Sequence, residues 1–273
     1  MKNWKIVCSA AIQAPKTAPI LLQGTLEECL KNASRLGYNG VEYHTREIAD
    51  LDYDAIIGVM KEKKAEVSAV ITGRLFTEGG YSLLNDDPAN SRRAQEGMCM
   101  YVDMASRLDT DLVLGWAKGQ VPAGAVRSDY LDRLGGQLRE IESYAAKKNV
   151  KIHIEVINRY ETNLFNTTRE TYDFLEDQKL TNCYVHLDTF HMNIEEADML
   201  EAIRLSAPRL GYFHLADNTR WYPGHGVLNF EKIIQTLDDI HYDGYLSVEC
   251  LPNPDGEAAA AISLQNLVAI LGK

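Results

Sequence analysis

Short β-branched apolar runs recur along the chain, and most are followed by a longer stretch whose apolar positions return every three or four residues. The first kind reads as a strand buried on both faces, the second as an amphipathic helix. Eight strand candidates follow: KIVCSA from Lys5, GVEYH from Gly40, EVSAVIT from Glu66, LVLGWA from Leu112, KIHIEV from Lys151, CYVHLD from Cys183, LGYFHLA from Leu210 and YLSVE from Tyr245. Between them lie helix candidates such as Thr25 to Leu36, Pro88 to Arg107, Ser128 to Asn149 and Phe230 to His241. Gly37, Asn149 and Gly244 sit where helix stops belong. A strand–helix unit repeated eight times predicts a parallel sheet closed into a (β/α)8 TIM-type barrel, and a chain of 273 residues suits one such barrel of about 250 residues. No Pro- or Ser-rich linker divides it, so the expectation is one domain over 1–273. The longest interruption, Gly73 to Asp87 after the third strand, reads as a surface loop or a lid.

Composition narrows the partners. A formal charge of −11 with no basic run is the wrong sign for a phosphate backbone, which argues against nucleic acid. No run approaches the roughly 18 apolar residues of a membrane helix. The apolar stretch near the N-terminus is broken by Gln13 and Lys16 and reads as a first strand rather than a secretory signal. The five cysteines are scattered, odd in number and never in a CxxC pair, as expected of reduced thiols in the cytoplasm.

Active sites of such barrels form at the C-terminal ends of the strands. Glu155, Asp188, His214 and Glu249 end or nearly end the last four strand candidates, separated by 33, 26 and 35 residues, each about one βα repeat. Adjacent strands would bring the four side chains to one point. Residues two apart share a strand face. With these four inward, His153, His186, Tyr212 and Ser247 also point in, while apolar Ile154, Leu187, Phe213 and Val248 face the helices. A single acid at a strand end is ordinarily a helix cap, but four in register point to a ligand set. Three carboxylates and one imidazole favour one hard or borderline divalent ion, Mn²⁺ first, with Mg²⁺ or Co²⁺ as alternatives.

Other residues fall on the same face. His153 and His186 read as core histidines, or as groups orienting the ligands from beneath. Glu161, His191 and Arg220 lie on loops just past the ligand positions, where they would meet a substrate. Trp116 and Trp221 are candidate apolar walls. Lys118, Arg159 and Arg220 would bring positive charge to the mouth, either for an anionic substrate or to balance the acids.

The segments IEVINRYETN (from Ile154), LDTFHMNIEE (from Leu187), FHLADNTRWYPGHG (from Phe213) and SVECLP (from Ser247) resemble the xylose-isomerase-like sugar isomerase/epimerase barrels. Within these they look most like ketose 3-epimerases of the tagatose and psicose type and the related 5-keto-L-gluconate epimerases. The resemblance implies that Glu155, Asp188, His214 and Glu249 ligate Mn²⁺ or a similar ion. It also implies that Glu155 and Glu249 are the catalytic pair, and that Glu161, His191 and Arg220 hold the substrate's O1 to O3 end. The expected reaction is epimerisation of a ketose or keto-sugar acid at C3 through a cis-enediolate, with a dimer or tetramer as the expected assembly. An aldose–ketose isomerase and an inosose-dehydratase-like lyase fit the same barrel. An AP endonuclease or a non-catalytic sugar-binding barrel fits the residues less well.

Overall fold

The computed structural model describes residues 4–45 and 51–272, so the extreme ends of the span 1–273 lie outside the described residues. Strand β1 (Lys5–Ala11) is followed by the two-residue β2 (Leu22–Gln23), α1 (Leu26–Leu36), β3 (Gly40–His44), α2 (Tyr53–Lys63), β4 (Glu66–Ile71), α3 (Gly73–Thr77) and α4 (Pro88–Arg107). Then come β5 (Asp111–Leu114), α5 (Arg127–Ala146), β6 (Ile152–Glu155), α6 (Thr168–Asp177), β7 (Cys183–Asp188), α7 (Thr189–Glu195) and α8 (Met199–Ser206). The chain ends with β8 (Leu210–Leu215), α9 (Phe230–Asp239), β9 (Tyr245–Val248) and α10 (Gly256–Leu271). All pairings are parallel, and β1 bonds to β9 through Lys5↔Tyr245 to Cys8↔Val248, closing eight strands into the barrel. The short β2 extends the edge of β1 beyond β9.

The alternation expected of the strands holds. Ile154, Leu187, Phe213 and Val248 are fully buried in the apolar shell beneath the helices. Inside the barrel, Ala69, Ile71, Val113 and Tyr212 form a separate small cluster. The polar residues above that cluster make up the site. Asp188 pairs directly with His214 across β7 and β8, and His214 with Ser247 across β8 and β9.

Helix ends follow local chemistry. Thr25 and Glu28 form a capping box that opens α1, and Gly37 at φ 98 closes it in the left-handed region. Asn149 has φ 57 just past α5. Gly244 does not play that part: α9 ends at Asp239 and the left-handed residue after it is His241, at φ 59. The fifth strand is also shorter than LVLGWA, because Gly115 (φ −97, ψ −114) turns the chain into a 3-10 turn at Trp116–Lys118. The segment from Gly73 begins with the short helix α3 rather than an open loop. Among the described residues no helix is long and apolar enough to cross a membrane.

Candidate metal centre and sugar pocket

The ligand atoms of Glu155, Asp188, His214 and Glu249 all lie within 4.8 Å of one another. His214 Nδ1 is 3.5 Å from Glu249 Oε2, 3.9 Å from Asp188 Oδ2 and 4.0 Å from Glu155 Oε1. Asp188 does cap its following helix, as a lone acid would: its Oδ1 accepts from the Phe190 N–H at 2.8 Å. Its Oδ2, however, is buried without a hydrogen-bond partner, and so is His214 Nδ1. Buried polar atoms ordinarily find partners. Two orphaned buried atoms facing one point, amid carboxylates, form a donor set of the kind that suits a divalent cation.

Glu155 reaches this point because the residue opposite it has no side chain. A Cβ on Gly115 would stand 2.4 Å from Glu155 Oε2. Burial, reinforced by Glu249, pushes the Glu155 carboxyl up to about 8, with His214 and Lys118 opposing. Burial raises Asp188 to about 6 against the pull of Arg220 and His214. Glu249 is different. Burial would raise it too, but His214 and Arg220 outweigh that and hold it below the usual carboxylate range. Arg220 Nη2 donates to Glu249 Oε2 in a short bond and lies 3.6 Å from Asp188 Oδ2.

The loop carrying Arg220 is organised by Asp217, a fully buried carboxylate that the sequence reading did not single out. It accepts backbone N–H bonds from Asn218 (2.8 Å), Gly224 (3.0 Å), Gly226 (2.8 Å) and Leu228 (3.2 Å). Arg220 itself has φ 59, an uncommon conformation for a side-chain-bearing residue that this frame holds in place. His191 is held from both sides: its Nδ1 lies 2.7 Å from Asn158 Nδ2 and its Nε2 lies 3.3 Å from Arg220 Nη1. That Nε2 lies 3.8 Å from Asp188 and 3.9 Å from Glu155. Asn158 also donates to Glu161 Oε1 at 2.9 Å. Burial, then the nearby charges of Arg220 and His214, hold His191 well below the usual imidazole range.

A cavity of about 570 Å³ opens above these residues, and Glu155, Glu161, His191, Arg220 and Glu249 all line it. Its outer wall is apolar, built from Ala14, Pro15, Ala18, Ile20, Ile71 and Trp116. Arg74, Thr77 and Glu78, on or just after α3, also reach it, so part of the segment expected to be a loop or lid forms its side. Trp221 is not part of this wall; it stacks on His225 at 4.3 Å.

The positive mouth expected from Lys118, Arg159 and Arg220 does not form. Lys118 is fully buried behind the site, donating to the carbonyl oxygens of Gly115 (3.1 Å) and Glu155 (3.3 Å), and burial lowers it to about 8. Arg159 is exposed and paired with Glu195 at 2.6 Å. Arg74 is paired with Glu78 and the Gln13 carbonyl. Arg220 alone of the expected three lines the cavity, and Glu249 neutralises it.

Below the ligand cluster, His153 bonds Asp111 at 3.2 Å as a core histidine. His186 is not satisfied in that way. Neither of its ring nitrogens has a partner, and it packs edge-on to His214 with centroids 4.1 Å apart. Sequence reading also missed Glu42 and His44 on β3, which join Glu249 in a second close group of potential ligand atoms.

Comparison with known proteins agrees with this architecture. The family model described as xylose isomerase-like TIM barrel matches residues 30–268. The L-ribulose 3-epimerase of Methylomonas sp. (strain DH-1) is 31% identical over 226 residues, covering 81% of this chain and 77% of that protein. A solved L-ribulose 3-epimerase superposes with a TM-score of 0.83 at 25% identity, over 97% of this chain and 94% of the other. The 3-keto-D-glucoside 4-epimerase YcjR from E. coli superposes with a TM-score of 0.84 at 21% identity, over 98% and 100% of the two chains.

Proposed function

The chain belongs to the xylose isomerase-like TIM barrels, and on that premise we propose that it is a divalent-metal-dependent sugar epimerase inverting C3 of a ketose. The observation that carries this reading is the convergence of two cavity-lining carboxylates, Glu155 and Glu249, with the orphaned buried atoms of Asp188 and His214. The relatives named 3-epimerases support the same chemistry.

The donor set fits a metal, with Glu155, Asp188, His214 and Glu249 as its holders and Mn²⁺ as the ion that three oxygens and one nitrogen suit best. When bound, the ion supplies Lewis acidity, making a C–H next to a carbonyl acidic enough for a carboxylate to remove. The chain's own residues do the rest. One of Glu155 and Glu249 removes the C3 proton from one face, giving a cis-enediolate, and the other returns a proton to the opposite face. Arg220 keeps Glu249 ionised and aimed. His191, Arg220 and Glu161 are placed to bind the oxygens at the carbonyl end of the sugar, and Trp116 with the apolar wall covers its carbon face.

Because the cationic groups at this cavity are matched by Glu249 and Glu78, the substrate class that fits is a neutral ketose rather than a sugar acid or phosphate. The test is to incubate the protein with neutral ketoses, ketogluconates and ketose phosphates in D₂O with Mn²⁺ and follow exchange by NMR. Deuterium should enter C3 of a neutral ketose only with metal present, and Glu155→Gln and Glu249→Gln should each abolish conversion to the C3 epimer. Exchange at C1 or C2, loss of water, or full activity in either variant would overturn the assignment.

A further inference from the structure

Glu42 lies mid-strand on β3, where Val41 and Glu42 flank a register shift against β4, and its side chain is fully buried inside the barrel. An ionised carboxylate at such depth needs several donors. It has four: His214 Nε2 at 2.8 Å, Ser247 Oγ at 2.7 Å and Tyr212 OH at 3.1 Å, all on Oε2, and His44 Nε2 at 3.1 Å on Oε1. Tyr212 is itself held by Ser68 at 2.6 Å. The partners come from β3, β8 and β9, so the carboxylate ties a strand early in the chain to the last two.

We propose that Glu42 is a positioning residue for the metal centre: it holds the proton of His214 on Nε2 and thereby presents Nδ1, with its lone pair, to the ion. Resting on the metal-dependent reading above, this follows from the geometry of a single ring. A neutral imidazole has one N–H and one lone pair, and the nitrogen facing a carboxylate keeps the hydrogen. Nδ1 is the atom with no hydrogen-bond partner, and it faces Glu155, Asp188 and Glu249. Glu42 does not itself line the cavity; its partner His44 does, and one of the Glu42 oxygens lies within 4.8 Å of a Glu249 oxygen. Its influence on the ion passes through His214, and towards Glu249 through His44, whose Nε2 stands 3.8 Å from Glu249 Oε1.

The test measures metal binding rather than turnover. Mn²⁺ dissociation constants are compared by competition with a fluorescent chelator for the wild type, Glu42→Ala and Glu42→Gln. Loss of the acceptor in Glu42→Ala should weaken binding about 10- to 100-fold. Glu42→Gln, whose amide oxygen can take the place of Oε2, should recover most of that loss. Equal affinities in the wild type and Glu42→Ala would overturn the proposal. Should Glu42→Ala fail to fold, the wild type still decides: with Mg²⁺ bound, ¹⁵N-resolved NMR of His214 should show a hydrogen on Nε2 and none on Nδ1, and the reverse tautomer refutes it. A wild type that binds no divalent ion would overturn the functional reading itself, an outcome distinct from binding that ignores residue 42.

Discussion

Stripping divalent ions from the protein and following its thermal stability with pH exposes the electrostatic cost of gathering these acids. Folded Glu155 keeps its proton from the ordinary value of 4.5 up to about 8, and Asp188 from 3.8 up to about 6. A folded state that retains protons the unfolded chain has released loses stability as pH rises through that interval. His214 acts in the same direction. Burial opposes its charge, but Glu42 and Glu249 raise it well above 6.5, so its contribution is present below that value and lost as pH climbs through the folded one. Glu42 and Glu249 are lowered instead, and their contributions are lost only as pH falls below 4.5. Each unit corresponds to about 1.4 kcal/mol, so the metal-free protein should lose on the order of a few kcal/mol between about pH 5 and pH 8. At about 2–4 °C per kcal/mol for a chain of this size, Tm should fall on the order of 10 °C. Glu155→Gln removes one titrating carboxyl from this set, so the difference between wild type and variant separates this effect from the general repulsion of a chain carrying −11. Adding Mn²⁺ should flatten the wild-type profile, because the ion takes the place of the retained protons. Parallel wild-type and Glu155→Gln profiles in chelator, measured by differential scanning fluorimetry, would refute the reasoning.

Gly115→Ala should lower kcat about 100-fold, since its Cβ would displace the Glu155 carboxylate by about an ångström; steady-state kinetics within threefold of wild type would show that the carboxylate has room to spare. Lys118→Met should cost about 1–3 kcal/mol by leaving two buried carbonyls without their donor, read as a fall in Tm, while leaving KM unchanged because Lys118 does not line the cavity. Asp217→Asn should loosen 217–228, seen as faster hydrogen exchange across that segment and a drop in kcat/KM of about tenfold as Arg220 loses its frame.

The four ligand candidates were legible because two regularities coincide in them. Their spacing matches the βα repeat, and the period-two alternation then fixes which side of each strand they occupy, with Ile154, Leu187, Phe213 and Val248 as the apolar check. Both regularities belong to the strands themselves. Residues beyond the strand ends obey neither. Lys118 turns inward and Arg159 outward because Gly115 and Asn158 set the local backbone and its hydrogen bonds, and a count of residues past a ligand does not carry that information. Gly244 looked like a helix stop, yet α9 had already ended and His241 took the left-handed turn. Glu42 was hidden for another reason. In the short run GVEYH one acid between apolar residues looks like any half-exposed strand position, and its four donors come from residues up to 205 positions away.

The cations built into the site show what the fold leaves for a ligand to supply. Arg220 is committed to Glu249, and His214 shares its ring between Glu42 below and the ligand acids above. The Lys118 ammonium approaches the backbone carbonyl of Glu155, not its carboxylate, so it eases that charge only at a distance. Glu155 is therefore the acidic group whose charge the chain compensates least, and it lines the cavity, where a substrate's oxygens would also come; Asp188 Oδ2 keeps the approach of Arg220 at 3.6 Å. A fold that answered every carboxylate with a lysine or arginine would be more stable without metal, but it would have no reason to bind one. On the proposed metal-dependent function, the same uncompensated charge that lowers the stability of the metal-free protein as pH rises is what a divalent ion would bind.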